Sequence, residues 1–247
     1  MSGILLSIKS YISSVGIIFK PRYLKYLIYS GLISVVFFIA ALLIFWYFGD
    51  VVTDLLTDRF SEGWLRSTLN VLTNFIAFIG LAFLLLLVYK HIVLILVGPV
   101  MGTFSEKLEL DRVGQSAISV EPKFGAVYST YRGVRIASRN IIKELFWTAI
   151  LLIASVIIPF LSVATVPLIF LVQSYYAGFG NMDVSIGRHK DVNSSIQYVK
   201  QNKLMVTANG AVFLALLLIP LLGAFLAPML ATSASTISML ENDGVSV

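Results

Sequence analysis

Residues 145–176 read LFWTAILLIASVIIPFLSVATVPLIFLVQSYY, a run without a single charge that is punctuated at Pro159 and Pro167. Residues 206–240 read VTANGAVFLALLLIPLLGAFLAPMLATSASTISML, again uncharged and punctuated with the same spacing at Pro220 and Pro228. The surroundings repeat too: Ile158-Pro159-Phe160-Leu161 in the first, Ile219-Pro220-Leu221-Leu222 in the second. Each apolar half is about 12 to 16 residues, roughly 18 to 24 Å as helix, short of the ~30 Å of a bilayer core. Two helical hairpins that enter a membrane, turn, and leave by the same face fit these lengths. The alternative is that each unit is two tilted full spans. Non-helical backbone at such depth must be buried in protein or line a wet cavity. Paired, proline-interrupted segments in repeated units point to a transport path.

The remaining sequence agrees with lipid as the solvent. The 247 residues are 58% hydrophobic and 13% charged, with mean hydropathy +0.90. A soluble domain carries roughly 25% charged residues, so this chain lacks the charge to cover a water-facing surface. Residues 26–48 are uncharged and end in Trp46 and Tyr47, an interfacial anchor, with Gly49-Asp50 as the expected stop. A second span covers 69–97, closes at Gly98-Pro99 and is interrupted by Lys90 and His91. Near the start, Ile4, Leu5, Ile8, Ile12, Val15 and Ile18 recur at helical spacing among Ser7, Lys9, Ser10 and Ser14. That pattern predicts an amphipathic helix lying on the membrane surface, and Lys9 in its middle argues against a cleavable signal peptide. The expected organisation is one membrane domain over 1–247. It comprises an amphipathic helix (1–20), a span (22–48), an external loop (50–68), a span (69–97) and cytoplasmic or interfacial helices (100–144). Hairpin 1 (145–178), a basic connector (181–204), hairpin 2 (205–240) and a tail (241–247) follow. The fold class is all-α integral membrane: two long transmembrane helices, two proline-broken hemi-penetrating hairpins and interfacial amphipathic helices.

Charge placement gives the orientation. Net charge is +5, but the basic residues sit between apolar runs, the mark of cytoplasmic loops rather than of nucleic-acid binding. Lys9, Lys20, Arg22 and Lys25 precede the first span without an acid, whereas 50–68 is acidic on balance. The N-terminus, the central helices and the connector therefore face the cytoplasm. Arg132, Arg135, Arg139 and Lys143 recur every three or four residues and form one basic stripe, suited to anionic lipid headgroups or to funnelling anions. Pro21, Arg22 and Lys25 stand where a helix begins, and a helix N-terminus favours an anion; the competing reading is a set of anchors that snorkel to headgroups. Lys90 and His91 lie ~10 Å inside the end of the second span. Ionisable groups there are functional candidates, although adjacent positions point about 100° apart. Asp183, Arg188 and His189 suggest a salt-bridged turn fixing the exit of hairpin 1.

The ordered set of motifs resembles the CysZ sulfate-permease family, part of the etoposide-induced-protein superfamily of membrane proteins. Its carriers are Gly16-x-x-x-Phe19-x-Pro21; Gly98-Pro99-Val100-Met101-Gly102 with Glu106-x-x-Glu109; and Phe124-Gly125 followed by Arg132, Arg135, Arg139 and Lys143. Asp183 with Arg188-His189, Ile219-Pro220-Leu221-Leu222 and Pro228 complete the set. The resemblance runs from about Gly16 to Leu240. It implies two long transmembrane helices with two hemi-penetrating hairpins, assembly into homo-oligomers, and sulfate uptake feeding cysteine synthesis. It also implies an anion site in the stretch after the proline, here Arg22-Tyr23-Leu24-Lys25. Lys25 matches the family's second arginine, Leu24 replaces the first, and lysine offers a point charge where arginine offers a planar fork.

The functional expectation is an inner-membrane permease or channel for sulfate or a similar small oxyanion. Its pathway candidates are Lys90, His91, Pro159, Pro167, Pro220 and Pro228. The alternative is a scaffold of the same superfamily that binds lipid or a partner and moves no solute. Enzyme classes are disfavoured: there is no Walker A, HExxH or GxSxG motif. Glu106 and Glu109 share a helical face without a histidine or aspartate cluster. With no cysteine and two histidines, no metal and no cofactor are expected.

Overall fold

The helices follow the apolar runs but outlast them. The computed structural model describes the backbone of residues 2–57, 64–114, 126–219 and 221–244 and the side chains of 2–48, 89–114, 131–158, 160–219 and 221–244. Pro220, Phe124-Gly125, the middle of the expected external loop (58–63) and the last three tail residues lie outside the described residues. The described residues form α1 (Gly3–Ile18), α2 (Leu24–Thr57), α3 (Trp64–Val113), α4 (Ala126–Ile157), α5 (Ser162–Ile186), α6 (Val192–Gln201), α7 (Lys203–Leu217) and α8 (Leu222–Asn242), with a 3-10 turn at Pro159–Leu161 between α4 and α5. Among them no strand occurs. Among the described residues five helices are long and apolar enough to cross a membrane, in the segments Leu24–Phe48, Tyr89–Val113, Tyr131–Ile157, Ser162–Ile186 and Leu222–Asn242. The chain is an all-α multipass membrane protein.

Several boundaries differ from the sequence expectation. Gly49-Asp50 do not stop α2, which continues to Thr57; a glycine costs a helix only about 1 kcal/mol. Pro99 does not close α3, which runs through it to Val113. The basic stripe and the first arm of hairpin 1 are one continuous helix, α4. Only the first proline of the first pair breaks the chain: Pro159 opens the 3-10 turn, while Pro167 and Pro228 lie inside α5 and α8. Both sit in the second turn of their helices, where a missing N–H removes a single rung.

α8 is the axis of the molecule. Every residue from Ala227 to Leu240 is buried, enclosed by α1, α2, α3, α5 and α7. Small and hydroxyl side chains let backbones approach closely where no hydrophobic effect drives association. The α5–α7 crossing is the tightest example. A Cβ on Gly178 would fall 1.9 Å from the Val206 carbonyl oxygen, and one on Gly210 would fall 1.8 Å from that of Ser174. α1 separates its two faces as an amphipathic helix does. Ser7, Ser10 and Ser14 face inward onto the protein, with Ser7 donating to the Met205 carbonyl at 2.7 Å, while Leu5, Ile12 and Val15 face out. α2 and α3 run antiparallel: Tyr89 donates to the Ser34 carbonyl at 3.1 Å, and Tyr23 meets Phe104 edge-on at 5.4 Å.

Both hairpin turns are apolar and bare. Val156, Phe160 and Val163 are 81%, 88% and 83% exposed around the first turn, and Leu218 and Leu222 flank the second. In the second turn Leu221 adopts φ 57° and ψ −58°, near the rare and strained classic γ-turn conformation. An apolar residue is kept there at a cost in backbone strain.

Candidate functional site

Among the described residues, polar side chains gather in four places that bear on function. At the α1–α2 junction the chain makes a tight turn in which the Tyr23 N–H donates to the Lys20 carbonyl at 2.9 Å and the Leu24 N–H to that of Pro21 at 3.4 Å. Those N–H groups are therefore engaged. Arg22 is paired with Asp111 at 3.2 Å, and the Tyr23 hydroxyl donates to the same carboxylate at 2.6 Å. Burial, aided by Asp111, pushes the Tyr23 phenol well above its usual range. Lys25 is exposed, its ammonium over the Tyr26 ring at 5.0 Å, with no carboxylate partner among the described residues. Of Pro21, Arg22 and Lys25, only Lys25 presents an uncommitted charge.

Two ion-paired clusters lie at one end of the bundle. Glu109 on α3 accepts from Arg188, and its other oxygen lies 2.8 Å from His189 Nε2. Asp183 pairs with neither Arg188 nor His189, as a salt-bridged turn would have it. Its partner is Arg132 on α4, which grips it bidentately at 2.9 and 2.8 Å and donates to Ser195 at 2.6 Å. Arg132 is 4% exposed and so leaves the basic stripe. Arg135 and Lys143 remain exposed beside Tyr131 and Phe146, while Arg139 stacks over Phe179 at 5.6 Å and donates to Asn140. Gly187 makes room for the clamp, because a Cβ there would lie 2.0 Å from Arg132 Nη1.

From this end a seam of uncharged polar groups runs along α8. Ser105, Ser185 and Thr236, one each from α3, α5 and α8, lie within 2.7–2.9 Å of one another. One turn deeper, Asn181 donates to Asn209 at 3.0 Å, Asn209 donates to Ser235 at 3.0 Å, and Tyr11 donates to the Asn209 carbonyl at 2.9 Å. Ser174 Oγ and Asn181 Oδ1 are buried without a partner. All of these residues are at most 6% exposed. The sequence reading did not single them out. The available signal was Thr232-Ser233-Ala234-Ser235-Thr236-Ile237-Ser238, a hydroxyl-rich run within an otherwise apolar segment.

The fourth place is the pair Lys90-His91. Their side chains do share a direction despite adjacent positions: Lys90 donates to Glu144 Oε1, and His91 Nε2 lies 2.9 Å from Glu144 Oε2. The flexible lysine stem makes up the angular difference. All three side chains are at most 4% exposed. Of the pathway prolines, Pro167 faces outward and Pro228 is buried in α8; Pro220 lies outside the described residues.

Among curated proteins none matches the chain. Residues 10–228, from the inward serine face of α1 to Pro228 in α8, match the family described as sulfate transporter CysZ/etoposide-induced protein 2.4, and the chain belongs to that family.

Proposed function

We propose that the chain is a bacterial inner-membrane permease or channel for sulfate or a similar small oxyanion, supplying sulfur assimilation as a homo-oligomer without ATP and without catalysis. The observation that carries this reading is the seam. Hydroxyl and amide groups from α3, α5, α7 and α8 line up inside a lipid-embedded bundle, where apolar packing would cost less. Neutral donors suit conduction, since a pathway must bind an ion well enough to admit it and weakly enough to release it. Partnerless Ser174 Oγ leaves a donor for water or an oxyanion, and partnerless Asn181 Oδ1 leaves an acceptor for water. Lys25, exposed at the start of α2, supplies attraction at the mouth.

The bare hairpin turns support a membrane placement in which both hairpins turn inside the hydrocarbon and leave by the cytoplasmic face. The exposed apolar side chains of the turns would be unstable against water and suit acyl chains, while the turn backbone at that depth needs cover from protein, as a second copy in an oligomer would give. Arg135, with Tyr131 alongside, then meets anionic headgroups at about 1 kcal/mol, and Lys143, about 12 Å farther along α4, reaches them only by snorkelling. The test is uptake of radiolabelled sulfate by sealed proteoliposomes. Uptake above protein-free vesicles, lowered by the double substitution Ser185→Ala/Ser235→Ala, is expected. Uptake equal to protein-free vesicles would leave the lipid- or partner-binding scaffold as the better reading.

A further inference from the structure

The Lys90–Glu144–His91 centre has a geometry that charge balance alone does not require. Lys90 by itself neutralises Glu144, yet His91 addresses the second carboxylate oxygen at 2.9 Å. A carboxylate held at one oxygen by an ammonium and at the other by an imidazole is held as the edge of a tetrahedral oxyanion would be. The centre is deep: Glu144 stands about 18 Å along α4 from Arg132, and Lys90 about 28 Å along α3 from Glu109. As glue between α3 and α4 it is an expensive choice, because apolar residues of similar volume hold helices at least as well as a buried ion pair.

A second observation points to a ligand. Thr148 lies one helical turn beyond Glu144 on the same face of α4, is 4% exposed, and its Oγ1 has no hydrogen-bond partner. An unsatisfied hydroxyl next to a doubly gripped carboxylate leaves one donor unused. We propose that Lys90, His91 and Thr148 form an intramembrane oxyanion-binding site that the Glu144 carboxylate fills when no anion is bound, so that anion and Glu144 compete for the same donors. This rests on the reading that the chain passes oxyanions and adds the step that limits it. With Glu144 in place an incoming anion meets no net charge. With Glu144 displaced it meets the full charge of Lys90.

Two arms test this. In the first, sulfate binding to detergent-solubilised protein is measured by calorimetry in a Lys25→Ala background, which silences the mouth. Adding Glu144→Gln is expected to tighten sulfate binding by at least about tenfold, the scale of one uncompensated charge at close range. Further adding Lys90→Gln is expected to abolish the gain. Unchanged affinity on Glu144→Gln, or a gain that survives Lys90→Gln, would overturn the proposal. The second arm uses Thr148→Val, which removes a hydroxyl that bonds to nothing and so preserves folding. Thermal stability equal to or above wild type with sulfate uptake lowered several-fold is expected; unchanged uptake would overturn the proposal even if Glu144→Gln fails to fold. Absence of uptake in wild type would instead sink the permease reading, and the calorimetric arm would still decide this one.

Discussion

Adding one methyl group at Gly210 tests the α5–α7 crossing on which the seam depends. An ideal Cβ there lies 1.8 Å from the Ser174 carbonyl oxygen and 2.5 Å from the Gly178 nitrogen. Cβ contacts under 3.0 Å essentially never occur, so the two backbones must separate by at least about 1.2 Å; no side chain can swing aside instead. Asn209, the preceding residue, bonds Asn181 at 3.0 Å, and a displacement of that size takes the pair out of hydrogen-bond range. Overpacking costs about 1–3 kcal/mol and the lost bond about 1 kcal/mol, against which the better helix propensity of alanine returns about 1 kcal/mol. The net expectation for Gly210→Ala is a loss of about 2 kcal/mol. Gly178→Ala acts on the same contact, its Cβ 1.9 Å from the Val206 carbonyl oxygen, so the double variant will cost less than the two singles together. Gly133→Ala is the control, since nothing lies within 4 Å of its Cβ; it will be neutral or stabilising by up to about 1 kcal/mol. Reversible unfolding in mixed micelles reads all four. Gly210→Ala as stable as Gly133→Ala would refute the close approach.

Arg132→Lys loses the bidentate grip on Asp183 and will destabilise by about 3 kcal/mol; Gly187→Ala, which displaces the same guanidinium, will act in the same direction. Wild-type stability of both in the same unfolding assay would contradict the clamp. In sulfate uptake, Lys25→Ala will lower the rate more than Arg22→Ala, because Arg22 is committed to Asp111; the reverse order would move the mouth of the route to Arg22. Hydrogen bonds from Ser194, first, and then from the Asn193 N–H hold the Asp191 carboxyl at the start of α6 below its usual range. A depressed value stabilises the fold above the ordinary aspartate range, and that stabilisation fades as pH falls through the folded-state value. Asp191→Ala will therefore speed amide exchange at Asn193 and Ser194 at pH 7, and wild type and variant will converge in acid; a difference that persists in acid would show another cause.

The solvent and the helical class were legible in the sequence because lipid leaves a compositional mark: long uncharged runs have no other stable use. Helix ends were less legible. Gly49, Pro99 and Pro167 each carry a local breaking signal worth one to a few kcal/mol, and packing along the bundle exceeds it. Among the charges, Arg22 and Arg132 read as members of basic sets because sequence spacing places them on a face but does not reveal a carboxylate arriving from another element. Asp111 is 89 residues from Arg22 and Asp183 is 51 from Arg132. Glu144 escaped notice for the same reason, as its partners come from α3. The seam was hidden more deeply, because serine, threonine and asparagine are common in membrane helices and only their convergence around α8 sets these apart.

The chain contains no cysteine, so Ser185→Cys introduces a single thiol into the seam, and Leu152→Cys places one on the exposed apolar face of α4. Reaction with a membrane-impermeant sulfonate-bearing thiosulfonate, compared with its trimethylammonium counterpart, reads whether an anion reaches the interior. The account predicts that the thiol at 185 reacts with the sulfonate reagent, reacts more slowly with the cationic one and is protected by sulfate, while the thiol at 152 reacts with neither. A thiol at 185 that is inert to both reagents in folded, reconstituted protein would contradict an oxyanion route through this seam.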